Sequence, residues 1–152
     1  MIKRLAMVTA LSMGLMGGLT GGVTGAARAQ GIDPIQTRQV GLDLLSGTFG
    51  GVKAVITANG DVKTLVGAGK AIARWGKVFP TLFPAGSDKG ETKAAPAIWS
   101  DNAGFQKASM ALSEAGGALA TAAAAGDAAA TAVAFKAIGE ACGACHKDYR
   151  LK

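Results

Sequence analysis

Apolar residues recur at alternating steps of three and four along four stretches of this chain, a rhythm that fits helices and little else. Ile35, Leu42, Leu45, Phe49, Val52 and Ile56 form the first such stripe, the pattern of a helix burying one face. Asp33-Pro34 precedes it as an N-cap with proline at the first helical position. "ANGD" stops that helix, and Asp61 caps a second that carries Val62, Leu65, Gly69, Ile72 and Phe79 before Pro80 and Pro84 end it. "PAGSDKGETKAAP" reads as loop. A third helix starts near Pro96 to Ser100 and carries Ala108, Leu112, Ala115, Leu119 and Ala122 until "AGD" closes it. Asp127 caps a fourth, with Phe135, Ile138, Cys142, Cys145 and Tyr149 in the same rhythm. Alanine is abundant and aromatics make up only 5%, which favours helix over sheet. Four helices, short loops and one longer connection predict an all-α, antiparallel four-helix bundle.

The first thirty residues stand outside that pattern. Lys3 and Arg4 lead an apolar run from Leu5 to about Val23, and Ala27-Arg28-Ala29 supplies a small-x-small cleavage pattern. Glycines break the run, so it reads as an export signal rather than a membrane anchor. The expected division is a signal peptide over residues 1–29, removed, and one domain over 30–152. No later segment reads as long and apolar enough to span a bilayer, so a periplasmic protein without membrane insertion is expected. Loss of Lys3, Arg4 and Arg28 lowers the net charge from +6 to +3. No dense basic run with interleaved aromatics remains, so no nucleic-acid partner is expected. "VGAGKA" at 66–71 is no phosphate loop either: Thr64 stands where the first glycine belongs, and Ala71 replaces the serine or threonine.

Both cysteines and the one histidine fall in "CGACH", Cys142 to His146. A thioredoxin-like dithiol needs its Cys-x-x-Cys at a helix N-terminus after a strand, whereas this one nears a helix C-terminus with no strand signal. Zinc wants four Cys or His ligands, and the chain offers three. A structural disulfide is the bland alternative. The remaining reading is the Cys-x-x-Cys-His signature of covalent haem attachment. Two thiols three residues apart can add to the vinyl groups along one side of a porphyrin, and the next histidine can reach the iron. Both cysteines share the core-facing stripe, so one haem c per chain, held by two thioethers, is expected in the bundle.

The second axial position then sets the function. Once the signal is gone, Met110 is the only methionine, and it sits just off the apolar stripe of the third helix. A five-coordinate, high-spin iron is therefore expected, with an apolar open face that suits neutral NO and CO better than anions. The alternative is a six-coordinate, low-spin electron carrier with Met110 or a lysine as ligand.

With "RQVGLDLL" in the first helix, "APAIW" opening the third and "CGACHKDYR" at the end, the mature chain resembles cytochrome c′, the class II c-type cytochromes. The resemblance implies thioethers at Cys142 and Cys145 and an axial bond from His146. It implies that Arg38 and Gln39 lie beside the haem propionates, that Leu42 covers the open iron face, and that Arg150 stands beside the proximal face. Trp75 and the loop containing Thr92 would wall the haem, with ordinary core packing the other reading for Trp75. It also implies a homodimer, an unidentified redox partner, and one-electron transfer or gas binding rather than enzyme catalysis. The chain departs from the family in the many glycines of its first two helices, which either permit close helix crossing or weaken a dimer.

Overall fold

The computed structural model describes residues 32–152; the expected signal peptide and its cleavage site lie outside them. Four long helices form the bundle: α1 (Pro34–Thr57), α2 (Val66–Val78), α4 (Asn102–Ala125) and α5 (Ala128–Tyr149), with a single turn, α3 (Ala97–Ser100), before α4. Three starts follow the sequence signals. The Asp33 carboxylate accepts from Ile35 N, Asp61 from Lys63 N and Asp127 from Ala130 N, each at 2.9 Å, satisfying N–H groups with no partner inside the helix. At Asp61 the first turn, Val62–Leu65, is wound as a 3-10 helix before α2 begins.

The third helix differs from the expected one. Asp101 breaks it at φ −121°, ψ 56°, and caps the longer piece by accepting from Gly104 N at 3.2 Å. Asp101 thus starts α4 in place of the Pro96–Ser100 region, whose turn stands alone as α3. α4 also packs on two sides, against α2 and α5, and therefore buries Phe105, Ser109, Ser113, Gly116, Ala120 and Ala123 as well as Ala115 and Leu119. The α2 side is a close crossing. A Cβ on Gly76 would come within 2.6 Å of Ser113 N, and one on Gly116 within 2.6 Å of Ala73 N. Ser109 and Ser113 donate to the carbonyls of Gly76 and Ala73 at 2.7 and 2.8 Å. Gly69 and Gly76 of α2 therefore permit close helix packing, whereas Gly67 of α2 and Gly47, Gly50 and Gly51 of α1 have open space where a Cβ would stand.

The apolar core fills one end of the bundle. Val52, Val62, Leu65, Leu119, Ala123 and Ala134 are buried there, Ile72 and Ile138 are buried where the core meets the cavity at the opposite end, and Phe49 stacks on Phe135 at 4.4 Å. Burial of one such aliphatic side chain stabilises by about 1.5–3 kcal/mol. Two helices, α1 and α5, are long and apolar enough to cross a membrane by length and composition alone, which corrects the expectation that no segment after the N-terminal run would be. In α1 the average comes from Val, Ile, Leu and Phe residues spread between polar ones, and in α5 largely from alanines, so neither helix forms a conspicuous apolar block.

Candidate functional site

At the opposite end the helices part around a cavity of about 1040 Å³. The first half of α1, the end of α2, the start of α4 and the end of α5 wall it, as the antiparallel order requires. α5 brings Cys142, Cys145 and His146 to one wall. Both cysteines are free and half-buried. Burial pushes the Cys142 thiol up; burial, then the charges of Cys142 and Asp148, take Cys145 up to about 11. Both therefore stay protonated at neutral pH. Burial, followed by the Arg150 charge, lowers His146, which keeps a ring nitrogen lone pair free to bind a metal.

α1 supplies the facing wall with Arg38, Gln39 and Leu42, and Leu42 keeps 37% of its surface exposed. Arg38 lies on the buried stripe at 2% exposure. Its Nη1 donates to Leu82 O at 3.2 Å and Ser87 Oγ at 3.0 Å, and its Nη2 to Ser87 O at 2.6 Å and Thr92 Oγ1 at 2.9 Å. The guanidinium also lies 4.6 Å over the Phe83 ring. Four N–H groups thus hold the loop after α2, leaving Nε–H for any further acceptor. Gln39 donates to Glu91 O at 2.7 Å, so it ties down the same loop. Thr92 additionally accepts from Ala94 N at 3.2 Å.

Trp75 lines the cavity, and its ring edge sits in a notch at Gly41, where a Cβ would collide with it. Its Nε1 is buried without a hydrogen-bond partner; the atom is shut off even from the cavity, so the ring contributes its apolar face there. Arg150 lines the rim, where its backbone pairs antiparallel with Ala94. Met110 is 41% exposed and absent from the cavity wall.

The sequence reading did not single out Phe83, Phe105 or Lys93, which also line the cavity. Phe105 extends the third stripe by one step before Ala108 and was open to detection. Phe83 sits in an aperiodic stretch between two prolines. There it meets Phe79, Trp99 and Phe105 edge-on at 5.0, 6.0 and 4.9 Å.

A family model described as Cytochrome C' matches residues 33–150. The chain belongs to the cytochrome c′ family. It is 36% identical over 121 residues to cytochrome c-556 of Agrobacterium tumefaciens (strain B2A), covering 78% of this chain and 97% of that protein. The crystal structure of cytochrome c′ from Thermochromatium tepidum superposes with a TM-score of 0.73 at 31% identity, covering 78% of this chain and 95% of that one. A nitric oxide complex of a mutant cytochrome c prime from Alcaligenes xylosoxidans gives a TM-score of 0.71 at 30% identity, with 79% and 94% covered.

Haem c, bound covalently, is the cofactor of this family and of this chain. The cavity suits it. Its volume lies at the top of the roughly 300–1,000 Å³ usual for ligand pockets, and its interior is lined by Phe79, Phe83, Phe105, Ile72 and Ile138. Two thiols and an imidazole stand on one wall, with Arg38, Lys93 and Arg150 available to carboxylates.

Proposed function

We propose that this chain is a periplasmic haem-c protein whose iron is bound by the protein from one side only, and that it acts by binding NO or CO or by one-electron transfer. Cys142 and Cys145 would hold the haem through two thioethers, each S–H adding across one vinyl group so that sulfur takes the C–S bond and hydrogen the new C–H bond. His146 would bind the iron through a ring nitrogen, which its lowered proton affinity keeps unprotonated. Arg38 and Gln39 hold the 82–92 loop against the cavity and leave the Arg38 Nε–H for a propionate. Arg150 brings a positive charge to the rim beside His146. The bound haem supplies an iron that exchanges one electron and accepts a small neutral ligand.

One observation carries the open iron face. Leu42 of α1 and the apolar face of Trp75 of α2 line the side facing His146, while Met110 lies outside the cavity. Neither side chain can ligate iron, and apolar groups there disfavour anions that would bring charge with them. The nitric oxide complex of the Alcaligenes relative supports the same class of ligand. No group beyond the haem is assigned enzymatic chemistry.

An absorption spectrum of the ferrous protein with and without CO tests the reading. A high-spin spectrum that changes on CO addition is expected; a low-spin spectrum indifferent to CO would overturn it in favour of a six-coordinate carrier. Haem that extracts into acidified organic solvent would rule out the thioethers.

The outer face of α1 supports a homodimer. Val40 and Leu44 are 52% and 69% exposed, and Gly47 and Gly51 continue that face with open space around them. A second copy could pack closely there, and sedimentation of the haem-loaded protein reads the outcome. Export follows from the N-terminal segment, and N-terminal sequencing of the secreted protein should begin at Gln30.

A further inference from the structure

His146 occupies the last turn of α5, a poor place for a residue that must hold a metal still. The final carbonyls of a helix lack partners within it, and terminal turns fray. α4 ends on Gly126 at φ 73°, whose N–H bonds back to Ala122 and Ala123. α5 has no such cap: Arg150 follows Tyr149 in extended conformation, φ −125° and ψ 129°. Something outside the helix must hold its end.

Three contacts do so, all at or beside Tyr149. Ala95 N donates to Tyr149 O at 3.1 Å, and Leu151 N to Lys93 O at 2.8 Å. The Tyr149 hydroxyl donates to Asp101 Oδ2 at 2.7 Å. Asp101 is itself fixed, because its other oxygen caps α4 at Gly104 N. Glycine at the capped position makes room for this pair: a Cβ on Gly104 would collide with the Asp101 carboxylate and the Tyr149 hydroxyl, which would have to move aside. The Tyr149 ring packs against buried Phe105 at 5.3 Å. Tyr149 therefore joins the end of α5 to the start of α4 and to the 93–95 segment.

We propose that Tyr149, hydrogen-bonded to Asp101 in the space left by Gly104, is a positioning residue that fixes the terminal turn carrying His146 and so holds the axial imidazole in register with the iron. The inference rests on His146 as the axial ligand and adds the device that keeps it there.

The test compares haem-loaded wild type with Tyr149→Phe and Asp101→Asn. Two readouts are taken: amide hydrogen exchange, and the iron–histidine stretching band in the resonance Raman spectrum of the ferrous protein. Tyr149→Phe keeps the ring and removes one donor. Exchange at residues 146–149 should quicken roughly three- to tenfold while α2 stays unchanged, and the band should shift or broaden. Asp101→Asn keeps a neutral acceptor and should fall between the two. Unchanged exchange and an unchanged band in Tyr149→Phe would overturn the proposal. So would an equal acceleration throughout α2 and α4, which marks general destabilisation. A wild type without the band would remove His146 as ligand, and the exchange data would still decide whether Tyr149 secures the turn.

Discussion

Arg38 Nη2 lies 2.6 Å from the carbonyl oxygen of Ser87, the shortest of four hydrogen bonds through which one buried side chain holds a loop more than forty residues away. Burial pulls the guanidinium below its ordinary value and Asp33 pulls it back, but an arginine stays charged. Hydrogen bonds to a charged group are worth more than neutral ones, and the acceptors left behind would be buried. Arg38→Ala should therefore cost about 2–4 kcal/mol in urea unfolding. Arg38→Lys should recover only part, because an ammonium cannot reproduce the planar fork. A loss below about 0.5 kcal/mol for the alanine variant would show that the loop holds itself.

The glycines of α2 and α1 should divide by what surrounds them. Gly76→Ala drives a Cβ into the backbone of α4 and should destabilise by about 1–3 kcal/mol. Gly67 has open space, so Gly67→Ala should stabilise by up to about 1 kcal/mol through helix propensity. Gly41→Ala meets the Trp75 ring edge. Besides lowering the midpoint, it should displace that ring within the cavity and change the CO association rate. Shortening the ring, as in the Gly41→Ala, Trp75→Leu pair, should bring the rate back toward wild type. Denaturation midpoints and flash photolysis measure the two effects.

The Tyr149–Asp101 hydrogen bond sets an alkaline limit. It raises the Tyr149 phenol from its ordinary value to about 12, with burial and the charges of Asp101, Asp148 and Cys145 adding to the shift. A group with a raised folded pKa gives stability that is complete below its unfolded value, near pH 10, and is lost as pH rises toward about 12. Wild type should thus lose its advantage over Tyr149→Phe across that window and keep it unchanged from pH 6 to 9. A difference between the two that is constant up to pH 12 would contradict this account.

Much of this was legible in the sequence, because the informative signals are local. Asp33, Asp61 and Asp127 cap helices through amides two or three residues on, and the step from Cys142 to His146 places three cavity residues within one helical stretch. Signals failed where structure depends on distant partners. α4 lies between two helices, so reading one apolar stripe missed the face on which Ser109, Ser113 and Gly116 meet α2. Asp101 looked like any acidic residue near a helix start, and its partner Tyr149 lies 48 residues away. The resemblance places Arg38 beside haem propionates; loop carbonyls and hydroxyls, which composition cannot reveal, take four of its five N–H groups.

Met110 provides the sharpest test of the iron's second face. It is 41% exposed and stands outside the cavity wall, so coordinating the iron would require α4 to turn against buried Phe105 and Ser109, which flank it on the packed side. Met110→Leu conserves volume and should cost less than about 1.5 kcal/mol. The ferrous spectrum and CO uptake should be identical to wild type, since Leu42 rather than a sulfur faces the site. Conversion of a low-spin wild-type spectrum to a high-spin one by this substitution would mean that α4 rearranges to bring the thioether onto the iron, and the chain would then work as a closed electron carrier.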